Sequence, residues 1–166
     1  MRRGWFFLLL SASVAFGSEV YFSPEGGIQD QIIRRVNQAQ STIDIAMYSF
    51  TSGAIAKALA EAHARGVTVR VIRDASQSHD KHDENAFLQA HGIQVQEMPE
   101  NGRGRFHDKF AIFDDKVLET GSFNWTANGE KYNHENVIFF TDPDLIRAFR
   151  QEFEKLWSES QLYLVH

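Results

Sequence analysis

Short runs rich in β-branched and aromatic residues alternate along this chain with segments whose apolar residues recur at helical spacing. Val20–Ser23 reads as a short strand, and Pro24 is placed to open a helix with Ile28, Ile32, Ile33 and Val36 on one face. Thr42–Tyr48 alternates as a strand, and Ser52 caps a helix carrying Ile55, Leu59 and Ala62, with Gly66 at its end. Val67–Ile72, Glu84–His91 and Ile93–Gln96 continue as strand, short helix and strand. A hairpin is expected next, Phe106–Phe113 and Lys116–Thr120 around an Asp114-Asp115 turn, then a strand at Val137–Phe140. Pro143 starts a last helix whose buried stripe is Leu145, Ile146, Phe149, Phe153, Leu156 and Trp157. Strands joined by helical crossovers predict an α/β sandwich: a mixed, largely parallel β-sheet flanked by helices on both faces. With 166 residues, 43% of them apolar, and no linker or repeat, one domain over 18–166 is expected.

The first 17 residues are expected to be a targeting segment. Arg2 and Arg3 precede the uncharged apolar run Trp5–Phe16, and Ala15 and Gly17 suit a signal peptidase cutting near Gly17. The run is short for a membrane span of about 20 residues, which leaves an uncleaved anchor as the alternative. Cleavage predicts a secreted or periplasmic protein, and the chain has no cysteine to form disulfides there. Seventeen Lys+Arg stand against 22 Asp+Glu, and losing Arg2 and Arg3 moves the formal charge from −5 to −7. So acidic a chain lacks the broad basic footprint of many nucleic-acid proteins. Any basic surface must be local, and Arg103, Arg105, His107 and Lys109 are the residues that could form it.

The chemistry concentrates between Arg105 and Asn136. His107 and Lys109 alternate along a predicted strand and so share a face. An imidazole beside an ammonium calls for an anion: lysine offers a point charge to a phosphoryl oxygen, and histidine can attack phosphorus or move a proton near neutral pH. Gly121 permits a tight turn or close backbone approach, and the Ser122 hydroxyl and Asn124 amide can donate to phosphoryl oxygens. Glu135, at the mouth of the last strand, can accept from one ring nitrogen of His107 and fix its tautomer. Asp114 reads as a turn residue holding the loop beside the site. Singly, each of these features is ordinarily structural; their ordered combination is what points to an enzyme.

That combination, His107-x-Lys109, Asp114, Gly121-Ser122-x-Asn124 and then Glu135, resembles the phospholipase D superfamily from about Val20 to Trp157. The likeness is in particular to its small bacterial endonucleases with one motif copy, and to a mitochondrial relative that acts on RNA or cardiolipin. The resemblance implies the α/β fold of that superfamily and a hydrolase acting on phosphodiesters. It implies that His107 attacks phosphorus to form a phosphohistidine and that a second histidine protonates the leaving oxygen and then activates water. Lys109 and Asn124, helped by Ser122, would hold the phosphoryl oxygens. Neither cofactor nor metal is implied, since histidine and cationic donors do a metal's two jobs. With one motif copy, the second histidine is expected from another subunit of a two-fold homodimer; the alternative is a monomer using His134.

The expected substrate is DNA or RNA cut with little sequence specificity, with a phospholipid such as cardiolipin as the alternative. Trp125 can stack on a base or sit in the core, and Phe123 with Trp125 would make a small lipid wedge. The run Ser78–Asp83 holds two histidines and two aspartates but lacks further metal ligands, and is expected to be a solvated loop beside the substrate groove. A catalytically silent nucleic-acid or membrane-binding module would have lost His107, Lys109 or Glu135, and all three are present.

Overall fold

The computed structural model describes residues 17–100 and 104–163; the expected signal segment through residue 16, and Arg103, lie outside them. The described residues form one seven-stranded sheet. Its strands are β1 (Ser18–Ser23), β2 (Thr42–Met47), β3 (Thr68–Asp74), β4 (Gln94–Met98), β5 (Lys109–Phe113), β6 (Val117–Gly121) and β7 (Glu135–Phe140). The helices are α1 (Ile28–Gln38), α2 (Gly53–Ala64), α3 (Asn85–Ala90), α4 (Ala127–Lys131) and α5 (Pro143–Tyr163). No helix among the described residues is long and apolar enough to cross a membrane.

The strand order is β1-β7-β6-β5-β2-β3-β4. The sheet is mixed and carries helices on both faces, as expected, but it is not largely parallel. Only β2, β3 and β4 pair in parallel, while β1, β7, β6, β5 and β2 pair antiparallel. The reason lies in the connections: parallel neighbours need a crossover, which α2 and α3 supply. By contrast β5 and β6 form a hairpin, and the five residues of α4 are too few to carry the chain across the sheet.

Two apolar layers hold the sheet. One packs Ile28, Ile32 and Val36 of α1 and Ile55 and Leu59 of α2 on Ile43, Ile45, Met47 and Val71. The other packs Ile146, Phe153, Leu156 and Trp157 of α5 on Ala46, Ile72, Phe110, Ile112 and Leu118. Leu145, expected in that stripe, is 40% exposed, so the stripe begins at Ile146. Ser52 caps α2, its hydroxyl accepting from the Ile55 amide. Pro24 does not open α1: the chain turns back on β1 so tightly that a Cβ on Gly26 would lie 1.7 Å from the Phe22 carbonyl oxygen, and α1 begins only at Ile28.

Asp114 corrects a second expectation. It sits in the β5–β6 turn at the end of β5 opposite Lys109, roughly 17 Å away at the rise of an extended strand. There its carboxylate accepts from the amides of Gln40, Ser41 and Thr42 and from the Ser41 hydroxyl. Burial alone would raise its pKa, but the Ser41, Thr42 and Gln40 amides outweigh it and hold the carboxyl below the usual aspartate value. It therefore fastens the α1–β2 loop to the hairpin, remote from His107. Asp114→Ala, which strands those amides, should lower stability by about 2 kcal/mol at neutral pH. Because the folded pKa is depressed, the gap between wild type and variant in urea midpoints should close as pH falls through that pKa.

Candidate active site

The carboxyl ends of β1, β2, β3, β4 and β6 and the amino ends of β5 and β7 meet at one end of the sheet, as the registers Ser23–Glu135, Met47–Lys109 and Asp74–Met98 require. Residues predicted to carry chemistry gather there. His107 was expected within a strand; instead residues 104–108 run as coil and β5 starts at Lys109. The approach is still fixed. The buried Asp74 carboxylate, at the end of β3, accepts from the Phe106 amide at 2.9 Å, and the Tyr48 amide donates to the Asp108 carbonyl at 2.9 Å. His107 is thus presented to solvent between two anchored residues.

Lys109 Nζ lies 3.1 Å from His107 Nδ1 and donates to the His107 carbonyl at 3.0 Å. Burial pushes the Lys109 ammonium below the usual lysine value, against the pull of Asp108 and Glu135. A partly desolvated ammonium is a stronger point charge for an incoming oxyanion than a fully hydrated one.

Gly121 ends β6 where the β6 and β7 backbones nearly touch: a Cβ there would lie 2.2 Å from the Asn136 carbonyl oxygen. That approach lets the Asn136 amide donate to Ser122 Oγ at 3.1 Å. Ser122 Oγ donates in turn to Glu135 Oε2, and Asn133 Nδ2 donates to Glu135 Oε1 at 3.1 Å. Two expectations change. Glu135 is engaged by Ser122 and Asn133, with no hydrogen bond to His107 among the described residues. The single Ser122 proton is committed to Glu135, so Ser122 is not a free donor to phosphate. Asn124 Oδ1 accepts from the Ser49 amide at 3.3 Å, which leaves its Nδ2 available as a donor.

Trp125 and Phe123 are both buried, which removes them as base-stacking or lipid-wedge residues. The Trp125 carbonyl accepts from the Thr51 and Ser52 amides, and its ring stands edge-on to Phe50 at 5.3 Å, so this loop is drawn into the core. Arg105 is exposed at the rim and donates to the Tyr48 hydroxyl at 3.2 Å and pairs with Glu100. In the 78–83 loop, Arg73 clamps Asp83. Among the described residues, no three His, Asp or Glu side chains gather where they could hold a metal.

Sequence reasoning missed two residues. Tyr48 was read only as the end of a strand, yet its ring centroid is 4.5 Å from that of His107. Asp74 carried no motif at all; it ends a strand, Thr68–Asp74, that already holds Arg70 and Arg73, so nothing in its pattern set it apart.

Comparisons with known proteins bear on the family and the fold. The family model described as "Cardiolipin synthase, PLD-like domain" matches residues 32–157. The mitochondrial cardiolipin hydrolase of Mus musculus is 37% identical over 129 residues, 78% of this chain and 58% of that protein. This chain spans about half to three fifths of the length of the mouse, dog, Chlamydomonas and human cardiolipin hydrolases it matches. Among solved structures, Nuc of Salmonella typhimurium, a phospholipase D family member, superposes with a TM-score of 0.80 at 30% identity, covering 87% of this chain and 95% of that one. NucT of Helicobacter pylori gives 0.81 at 26% identity, covering 88% and 98%.

Proposed function

The chain belongs to the phospholipase D superfamily, and from that premise we propose that it is a hydrolase of phosphodiesters: a metal-independent nuclease of low sequence specificity, exported after cleavage near Gly17. The observation that carries this is the convergence of His107, Lys109, Asn124 and Glu135 at one end of the sheet. In the proposed reaction a ring nitrogen of His107 attacks phosphorus, and the bond to the leaving oxygen breaks. A histidine of a second copy gives that oxygen its proton. The same histidine then takes a proton from water, whose oxygen displaces His107 and releases a phosphomonoester. Lys109 and Asn124 Nδ2 hold the non-bridging oxygens, and Glu135 balances the Lys109 charge while it fixes Ser122. Arg105 supplies a local cation at the rim, as an acidic chain needs.

The second copy is supported by a single motif and by an uncovered surface. On the face that α5 covers elsewhere, Val20 and Phe22 of the edge strand β1 are 52% and 60% exposed, beside the half-buried Ile138 and Phe140 of β7. This apolar strip runs up to the site end of the sheet. Phe22→Lys, a change at an exposed position, should halve the mass measured by light scattering and lower turnover by at least about 100-fold, as expected if half of a composite site is lost.

A phospholipid substrate is the second reading, favoured by the name shared by the cardiolipin hydrolases above. The test is a panel of plasmid DNA, single-stranded DNA, RNA and cardiolipin vesicles, each incubated in excess EDTA. Cleavage of nucleic acid in EDTA supports the proposal. Turnover of cardiolipin with intact nucleic acid moves the reading to lipid, and cleavage that EDTA abolishes removes the metal-independent mechanism.

A further inference from the structure

We propose that Tyr48 is a positioning residue: its ring fixes His107 and Lys109 in their reacting geometry, and its hydroxyl fixes Arg105 at the rim. The inference rests on the reading of His107 and Lys109 as the reacting pair. Tyr48 follows the last residue of β2, and Met47 stands opposite Lys109 in the β2–β5 register. Its amide bond to the Asp108 carbonyl adds one rung beyond the strands, between the two residues of interest. The side chain is thereby held where both can reach it.

The ring centroid lies 4.5 Å from that of the imidazole, with the planes inclined by 45°, and 5.3 Å from Lys109 Nζ. Lys109 Nζ and His107 Nδ1 are themselves 3.1 Å apart, which closes a triangle of phenol, imidazole and ammonium. At this distance the ammonium can donate to a neutral imidazole, and the negative face of the Tyr48 ring attracts the same ammonium. The ring also does what Glu135 does not. That carboxylate is occupied by Ser122 and Asn133, so Lys109 and the Tyr48 ring are the neighbours that hold the exposed imidazole in one orientation.

The hydroxyl has a separate task. It accepts from Gln77 Nε2 at 3.0 Å and from Arg105 Nη1 at 3.2 Å. Gln77 belongs to the short turn of helix, Ala75–His79, that follows β3. Arg105 otherwise pairs only with Glu100 among the described residues, and an exposed ion pair holds a long side chain weakly. The phenol is what points this guanidinium along the rim, where an extended phosphodiester would pass on its way to His107.

Ring and hydroxyl therefore divide between kcat and KM. Three variants of the whole chain, Tyr48→Leu, Tyr48→Phe and Arg105→Ala, would be assayed beside His107→Ala. The probes are bis(4-nitrophenyl) phosphate and the polymeric or vesicle substrate that the panel selects. Tyr48→Leu should lower kcat on the small diester by about 30-fold or more, as loss of near-attack geometry does, with a melting temperature near that of wild type. Tyr48→Phe, which keeps the ring, should restore kcat to within about threefold of wild type and raise KM for the large substrate by about three- to tenfold. Arg105→Ala should raise KM equally, and the double variant should be no worse than either single one. If Tyr48→Leu keeps kcat while His107→Ala is dead, the inference fails alone. If Tyr48→Phe loses as much kcat as Tyr48→Leu, the ring is not the positioning element. Should His107→Ala itself turn over, the reading of the site and this inference fall together.

Discussion

Replacing His107 with alanine should lower phosphodiester turnover by about 10⁴-fold or more, the scale seen when a covalent nucleophile is removed. The loss should leave folding intact, because His107 is exposed and lies in coil, and the unaltered melting temperature would show it. The composite site makes a sharper demand. If one His107 attacks while that of the second copy handles the proton, a hybrid dimer of wild-type and His107→Ala chains has no working site. Mixing wild-type protein with the variant at constant total protein, under conditions of subunit exchange, should then make activity fall as the square of the wild-type fraction. A monomer relying on His134 would give a linear fall instead. The same experiment thus weighs the nucleophile and the dimer together.

The second large effect concerns Glu119, in β6 between Ala111 and Phe139. It is fully buried, and neither carboxylate oxygen has a hydrogen-bond partner among the described residues. Burial pushes its pKa up to about 8, and the neighbouring Trp125 indole, which lowers it, offsets only part of that. The folded protein therefore keeps a proton that the unfolded chain releases above the ordinary value of 4.5. Stability from this group is full below that value, falls as pH rises toward about 8, and is level beyond. Each pH unit between the two values costs roughly 1.4 kcal/mol, so the whole loss is on the order of several kcal/mol. Glu119→Gln cannot ionise and should flatten the slope. Urea midpoints of both proteins at about pH 5 and about pH 8.5, on either side of that fall, give the difference directly: the variant gains on wild type at the higher pH. An equal response of the two proteins would mean that Glu119 is not held neutral.

Much of the architecture was legible because periodicity and capping are local. The strand at Thr42, the Ser52 cap, the Asp114-Asp115 turn and the α5 stripe all depend on neighbours within a few residues. Strand direction was not local. It turned on whether a connection was long enough to cross the sheet, and the five-residue α4 between β6 and β7 was not anticipated. At the site, the motif spacing brought His107, Lys109, Asn124 and Glu135 into view. It could not say which partner each group would choose. Glu135 and Ser122 take each other because Gly121 lets two backbones nearly touch. Asp114 belongs to the motif by spacing and to the far end of the sheet by geometry, since a strand separates it from Lys109. Trp125 turns inward because its carbonyl is tied to Thr51 and Ser52. Tyr48 and Asp74 reach the segment around His107 across strands, through Asp108 and Phe106, and no count along the chain reveals that.

The mechanism stands or falls on whether His107 becomes covalently bonded to phosphorus. Turnover quenched in alkali, followed by the mass of the peptide that bears His107, answers this without intermediary. A phosphohistidine gives a peptide heavier by the phosphoryl fragment of the substrate, its bond stable in alkali, lost in acid and absent from His107→Ala. An unmodified His107 during steady cleavage, or the same mass on another side chain such as Ser122, would contradict it.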